Sequence, residues 1–173
     1  MPELAEVEYL RKVWNPGLGQ RILKVRLHAG AKVFRDTSAA HLRRCLTGAT
    51  LLSSEAAAKQ MLFRASGGLW LGIHLGMTGH LSVQPPGHVQ GRHDHLVLAQ
   101  AKQCLVFSDA RMFGRIRFAT GKDAPDWWSS LAPPILSKHF TVDAVAAFLA
   151  RRARTPIKAV LLMQERFPGV GNW

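Results

Sequence analysis

A chain of 173 residues, 47% of them hydrophobic, can bury one sizeable core with room for a small second domain. Its 23 Lys and Arg stand against 11 Asp and Glu, a formal net charge of +12 that exceeds what solubility requires and points to a polyanionic partner. No apolar stretch is long enough to span a bilayer and the acidic opening is unlike a signal peptide, so the sequence argues against a membrane partner and predicts a cytoplasmic protein that associates with nucleic acid. Basic residues are spread along the chain, without the dense terminal run of a disordered tail. Cys45 and Cys104 lie far apart with no second cysteine near either, which suits reduced, buried thiols rather than a zinc pair or a disulfide framework.

In chain order, Leu4, Val7, Leu10 and Val13-Trp14 recur at helical spacing and predict an amphipathic helix over 3–14. Short alternating runs separated by glycine and polar turns predict strands at 21–27, 50–57, 60–65, 69–74, 80–83, 95–99, 104–108 and 115–119. One helix, 38–46, interrupts them, with Thr37 or Ser38 as its cap and Gly48 beyond its end. This spacing suits a two-layer antiparallel β-sandwich, so the expected class is mainly β with helices (α+β), with residues 1–120 as the sandwich domain. Pro125, Pro133 and Pro134 break the strand rhythm, and 121–138 reads as a linker. Helices take over in 139–173. Thr141 can cap one that runs to 153, and Thr155-Pro156 can open another through 164.

The chemistry begins at Met1-Pro2-Glu3. Removing the methionine would expose a secondary amine beside a carboxylate. Such an amine condenses with an aldehydic carbon to an iminium, an electron sink, while the carboxyl group shuttles protons. At a helix start the positive end of the macrodipole favours the free base that attacks. Taken alone, the pair more often marks an ordinary first turn, where proline and acidic residues are common, and only the further motifs overturn that reading.

Further blocks follow in one order: Lys59 after an alanine run, His74-Leu75-Gly76-Met77-Thr78-Gly79, His93-Asp94-His95, Asp109-Ala110-Arg111-Met112-Phe113-Gly114, and Lys158 through Gly169-Val170-Gly171-Asn172. From first residue to last, the chain resembles the formamidopyrimidine-DNA glycosylase and endonuclease VIII family, and its motif forms are closer to the formamidopyrimidine branch. The resemblance implies a monomeric base-excision enzyme. It would flip an oxidised purine such as 8-oxoguanine or a formamidopyrimidine out of damaged double-stranded DNA, cut the glycosidic bond and nick the strand by elimination.

By that resemblance Pro2 is the nucleophile that forms the Schiff base, Glu3 supplies protons, and Lys59 matches a strand lysine acting as general acid or phosphate contact. His93, Arg111 and Arg154 match DNA contacts, Arg154 standing where the family usually has lysine, and His74, Lys158 and Asn172 match backbone-binding positions. Met77, Arg111 and Phe113 match the group that fills the void left by an extruded nucleotide. A flexible methionine, an aromatic wedge and a guanidinium for the widowed base suit that task. His93 and His95 could instead face a metal from one strand, but no third ligand is in view. No cofactor is expected in this chain, because the family's four-cysteine zinc ribbon belongs to a longer C-terminal region.

Ala5 and Ala110 replace prolines usual in the family. Trp173 falls inside the family's helix-two-turn-helix motif. The expectation is therefore part of a longer protein, or a remnant with impaired activity. The rival function is a catalytically silent double-stranded DNA-binding module that keeps the sandwich and its basic face.

Overall fold

In the computed structural model, which describes residues 2–173, the alternating runs fold into eight strands in two antiparallel sheets. One sheet has the order β1-β6-β7-β5, with β1 Lys24–Leu27, β5 His80–Gln84, β6 Asp94–Ala99 and β7 Cys104–Ser108. The other is β2-β3-β4-β8, with β2 Leu51–Ala57, β3 Gln60–Ala65, β4 Leu69–His74 and β8 Arg115–Thr120. Because side chains alternate across a strand, Met61, Phe63, Leu71, Ile73 and Ile116 face inward and meet Leu81, Leu96, Leu98, Leu105 and Phe107 in one core. Helix α1, Leu4–Val13, closes this core. Val7 and the following Trp14 are buried, Trp14 lies 5.0 Å from the Phe63 ring, and its indole N–H donates to the Ser82 carbonyl. Arg11, paired with Glu8, donates to Ser54 on β2, so the helix start is held at one end of the sandwich.

The first strand is shorter than the pattern predicts, for a topological reason. Arg21 bridges to Thr50, Ile22 N–H donates to Ala49, and Leu23 N–H donates to Ala99, so 21–23 cross from one sheet to the other before β1 begins. Helix α2, Ala39–Leu46, is capped by Ser38, whose hydroxyl accepts from the His41 N–H.

The stretch 121–138 is more than a tether. It holds a one-turn helix, α3 (Asp126–Ser129), and the Trp127 ring lies over Gly72 on the outer face of β4, where any Cβ would overlap it. Trp70, beside it on that face, donates to the Gly121 carbonyl. Of the prolines that suggest a break in the sequence, Pro125 instead starts this helix as its N-cap, while Pro133 and Pro134 follow it.

Helices α4, Val142–Ala150, and α5, Ile157–Leu161, pack around Phe148, Val160 and Phe167. Both are shorter than their periodicity predicts. Past α4 the chain turns, with the Arg152 guanidinium 3.6 Å over the Phe148 ring. Past α5 the Gln164 amide donates to the Leu162 and Val170 carbonyls and accepts from Gly169 N–H, replacing helical bonds by a loop. Among the described residues no helix is long and apolar enough to cross a membrane.

Candidate active site

Glu3 is the N-cap of α1, and its N–H is taken by the Glu6 carboxylate at 2.7 Å. Its own carboxylate also faces Lys59 and the 170–172 segment. One oxygen lies 3.1 Å from Lys59 Nζ and the other accepts the Asn172 N–H at 2.9 Å. Gly171 makes the second approach possible, since a Cβ there would occupy the space of the carboxylate. The hydrogen bond from Lys59, reinforced by the Asn172 N–H and opposed by desolvation, holds the Glu3 carboxyl below its ordinary range, so it is ionised at neutral pH.

Lys59 is not on a strand, as the resemblance implied. It is the second residue of the two-residue turn between β2 and β3, with Ala58 at φ 47° and Lys59 at φ 62°. Hairpin turns of this hand normally recruit Asn or Gly, and two residues bearing Cβ there carry local strain. The turn directs the lysine under the helix start. It is 4% exposed and also donates to the Val170 carbonyl at 2.8 Å. Pro2, Lys59 and His74 line one small cavity with Val7, Leu75 and Gly76, and a neighbouring one of about 80 Å³ is bounded by Glu3, Lys59, Gln164 and Asn172. Met1, whose removal would free the Pro2 nitrogen, lies outside the described residues.

Beside this cavity two loops carry Met77, Arg111 and Phe113. All three are exposed, and the Arg111 guanidinium stacks 4.6 Å above the Phe113 ring. Asp109, 0% exposed, ties the loops together. One of its oxygens accepts from the Thr78 hydroxyl at 2.5 Å and from Arg111 N–H at 3.3 Å, and the other accepts from Gly114 N–H at 2.6 Å. His93 is exposed next to this knot, and its carbonyl accepts the Asp109 N–H.

The His95 ring points elsewhere, to the Asp109 carbonyl at 2.9 Å, so the two histidines do not face a common ion. Among the described residues no three His, Cys, Asp or Glu side chains converge as metal ligands. Arg154 and Lys158 are exposed on the helical part and make no side-chain contact with the Pro2 group. Asn172 joins that group through its backbone, while its side chain is exposed.

Residues 1–116 match the formamidopyrimidine-DNA glycosylase N-terminal domain family. The chain belongs to that family. A formamidopyrimidine-DNA glycosylase of Xanthomonas axonopodis pv. citri is 37% identical over 174 residues, which cover 99% of this chain and 63% of the relative. One from Paracoccus denitrificans is 34% identical over 183 residues, covering 99% and 64%. The chain thus spans somewhat under two thirds of these relatives. Among solved structures, the Lactococcus lactis formamidopyrimidine-DNA glycosylase bound non-covalently to DNA with an AP site has a TM-score of 0.84 at 25% identity, over 99% of this chain and 66% of that one. The same organism's enzyme with N7-benzyl-Fapy-dG DNA gives 0.86 at 26% identity, over 99% and 64%.

Within this glycosylase-family fold, motif reading did not single out the roles of Asp109, Thr78, Gln164 and the carbonyl of Val170. The spacing of Asp109 to Gly114 within its motif was the one available signal, since a buried carboxylate can cap a tight turn that follows it. His74 accepts Gly76 N–H at Nδ1, which assigns its neutral-form proton to Nε2. Burial, with Arg115, Arg117 and Arg35 adding to it, lowers its pKa from the ordinary 6.5.

A depressed histidine pKa means the unfolded chain takes up this proton first as pH falls. The stability contributed by neutral His74 is therefore complete above the ordinary value and lost as pH drops toward the folded one. Urea midpoints at about pH 7.5 and about pH 5.5 should accordingly differ less for His74→Gln than for the wild type. Equal differences would show that His74 titrates as it does in the unfolded chain.

Proposed function

We propose that this chain is the nucleophile-bearing part of a DNA glycosylase with AP lyase activity that removes oxidised purines, including 8-oxoguanine and formamidopyrimidines, from damaged double-stranded DNA. It works as a monomer in the cytoplasm, without a cofactor of its own. The observation that carries this function is the meeting of Pro2, Glu3 and buried Lys59 at the end of the sandwich that also bears the Met77, Arg111 and Phe113 loops.

With Met1 removed, the Pro2 nitrogen attacks the sugar C1′. The new C–N bond forms as the glycosidic bond breaks, and its electron pair leaves with the base. The secondary amine gives up its proton to the ionised Glu3 carboxylate. Glu3 then passes this proton to the ring oxygen as the sugar opens to the iminium. Loss of a C2′ proton into that electron sink expels the 3′ phosphate and nicks the strand. Lys59 keeps Glu3 a proton acceptor at the start of this sequence. Such chemistry needs the damaged nucleotide out of the stack, with Met77 and Phe113 filling the void and Arg111 bonding the orphaned base. His74, Lys158 and Asn172 serve the DNA backbone, and His93 and Arg154 make further DNA contacts.

Borohydride trapping on an abasic oligonucleotide tests the function directly, because it reduces the imine to a stable crosslink. A chain that binds duplex DNA and never crosslinks would be the silent binding module instead. The void-filling group makes a separate prediction. Arg111→Ala or Phe113→Ala should weaken binding to lesion duplex by about tenfold, roughly 1.4 kcal/mol, and leave binding to single-stranded abasic DNA nearly unchanged. Equal losses on both substrates would reduce these side chains to general DNA contacts.

A further inference from the structure

The outer face of the second sheet carries a basic cleft whose arginines none of the roles above uses. The register β4 to β8 places His74 opposite Arg115 and Gly72 opposite Arg117, so His74, Arg115 and Arg117 stand together on that face. Phe113 and Gln60 complete a cleft of about 260 Å³, and Trp127, 5.4 Å from the Arg117 guanidinium, walls one side. Arg35 joins from the turn that follows Lys32–Phe34, its guanidinium anchored on the Gly114 carbonyl at 2.8 Å. Among the described residues the carboxylate in ion-pair contact with these three cations is Asp36, 2.8 Å from Arg115 Nε and itself about half exposed.

We propose that this cleft is a binding subsite for a backbone phosphodiester of the strand that carries the attacked nucleotide, additional to the contacts already assigned to His74, Lys158 and Asn172. The inference rests on the DNA-directed function proposed above. Three guanidiniums facing one carboxylate leave an excess of positive charge in a partly desolvated space, and a phosphate would neutralise it. The same crowding lowers the pKa of Arg117, through burial first and then through Arg115 and Arg35, against the pull of Asp36. Arginine suits this ligand because its planar fork matches two phosphate oxygens, and stacking on Trp127 holds one such fork in place.

Location selects DNA over a free anion. His74 lines both this cleft and the Pro2 cavity, and Phe113 forms the cleft's rim, so a strand held by Pro2 leaves the cavity past the arginines. Neutral His74 offers its Nε2 proton as a further donor.

The test is the salt dependence of binding by the full chain, Met1 removed, to a duplex with a tetrahydrofuran abasic analogue. Arg115→Gln and Arg117→Gln remove one subsite cation each. Arg43→Gln removes an equal charge from exposed α2. Each lost phosphate contact lowers the slope of log affinity against log salt by about 0.9. The expected result is that drop for the Arg115→Gln/Arg117→Gln double variant and a smaller one for each alone, with little change for Arg43→Gln. Arg117→Lys, which keeps the charge and loses the fork, should retain the slope while weakening affinity.

Unchanged slopes in both cleft variants, or an equal drop in Arg43→Gln, would overturn the subsite. Failure of the parent function looks different: the wild-type chain would bind with the cleft-dependent slope and form no borohydride adduct, leaving the subsite standing on a binding module.

Discussion

Borohydride reduction of the chain on an abasic duplex is expected to give a covalent adduct when Met1 has been removed and none when it is retained. An acylated Pro2 nitrogen is a tertiary amide with its lone pair delocalised into the carbonyl, so it cannot attack. Pro2→Gly should keep weak trapping, because a primary amine also forms an imine but lacks the ring that fixes the nitrogen at the helix start. Intact mass spectrometry of the same preparations supplies the check. Full trapping by a preparation that retains Met1 would remove Pro2 from the mechanism.

The same assay reads Glu3. The carboxyl lies below its ordinary 4.5 because Lys59 hydrogen-bonds it, so the ionised form persists above that value and is lost as pH falls through the lowered one. The Glu3-dependent part of the acid limb of adduct formation should therefore move up toward the ordinary carboxylate range in Lys59→Met. An acid limb unmoved by that substitution would detach Lys59 from Glu3.

Asp109→Ala should lower the melting temperature and loosen the void-filling loops together. It leaves the Gly114 N–H without an acceptor in a buried site, at a cost of about 1–3 kcal/mol, whereas the exposed Thr78 can turn its hydroxyl to water. At roughly 2–4 °C per kcal/mol for a chain of this size, a loss of about 2 kcal/mol lowers the melting point by about 4–8 °C. Asp109→Asn keeps the volume, but it turns an amide N–H₂ toward either Thr78 or Gly114, so part of the loss should persist.

Thr78→Val removes one arm of the same knot and should be non-additive with Asp109→Ala, since both delete the Thr78–Asp109 hydrogen bond. Lesion-duplex binding is expected to fall in each, while adduct formation on single-stranded abasic DNA continues. A wild-type melting curve for Asp109→Ala would mean the loops are held by other contacts.

Much of the architecture was legible locally. Alternation along 60–65, 69–74 and 104–108 is a property of neighbouring residues, and the observed strands Gln60–Ala65, Leu69–His74 and Cys104–Ser108 carry those limits. Pro2 and Glu3 stood out because their chemistry depends on position at a helix start, which periodicity reveals. The alternating runs 50–57 and 60–65 leave Ala58-Lys59 between them, where the structure has its turn, and only the family resemblance placed Lys59 on a strand; without Asn or Gly, the pair does not announce a tight left-handed hairpin.

Other features belong to the tertiary structure alone. Prolines in 121–138 announce an end to the sheet, but only the assembled sheet offers the gap above Gly72 that receives Trp127. Glu3 and Asn172 are 169 positions apart and meet through a backbone N–H that every non-proline residue possesses, so no side-chain pattern could mark the partner. The cleft of Arg35, Arg115 and Arg117 likewise arises when β8 registers against β4 and a distant turn docks beside it. Composition determined that this protein would be basic and layered. Which charges converge, and which carboxylate stays ionised beside a buried lysine, was decided by long-range packing, because electrostatic and hydrogen-bond energies depend on distances in space that sequence separation does not encode.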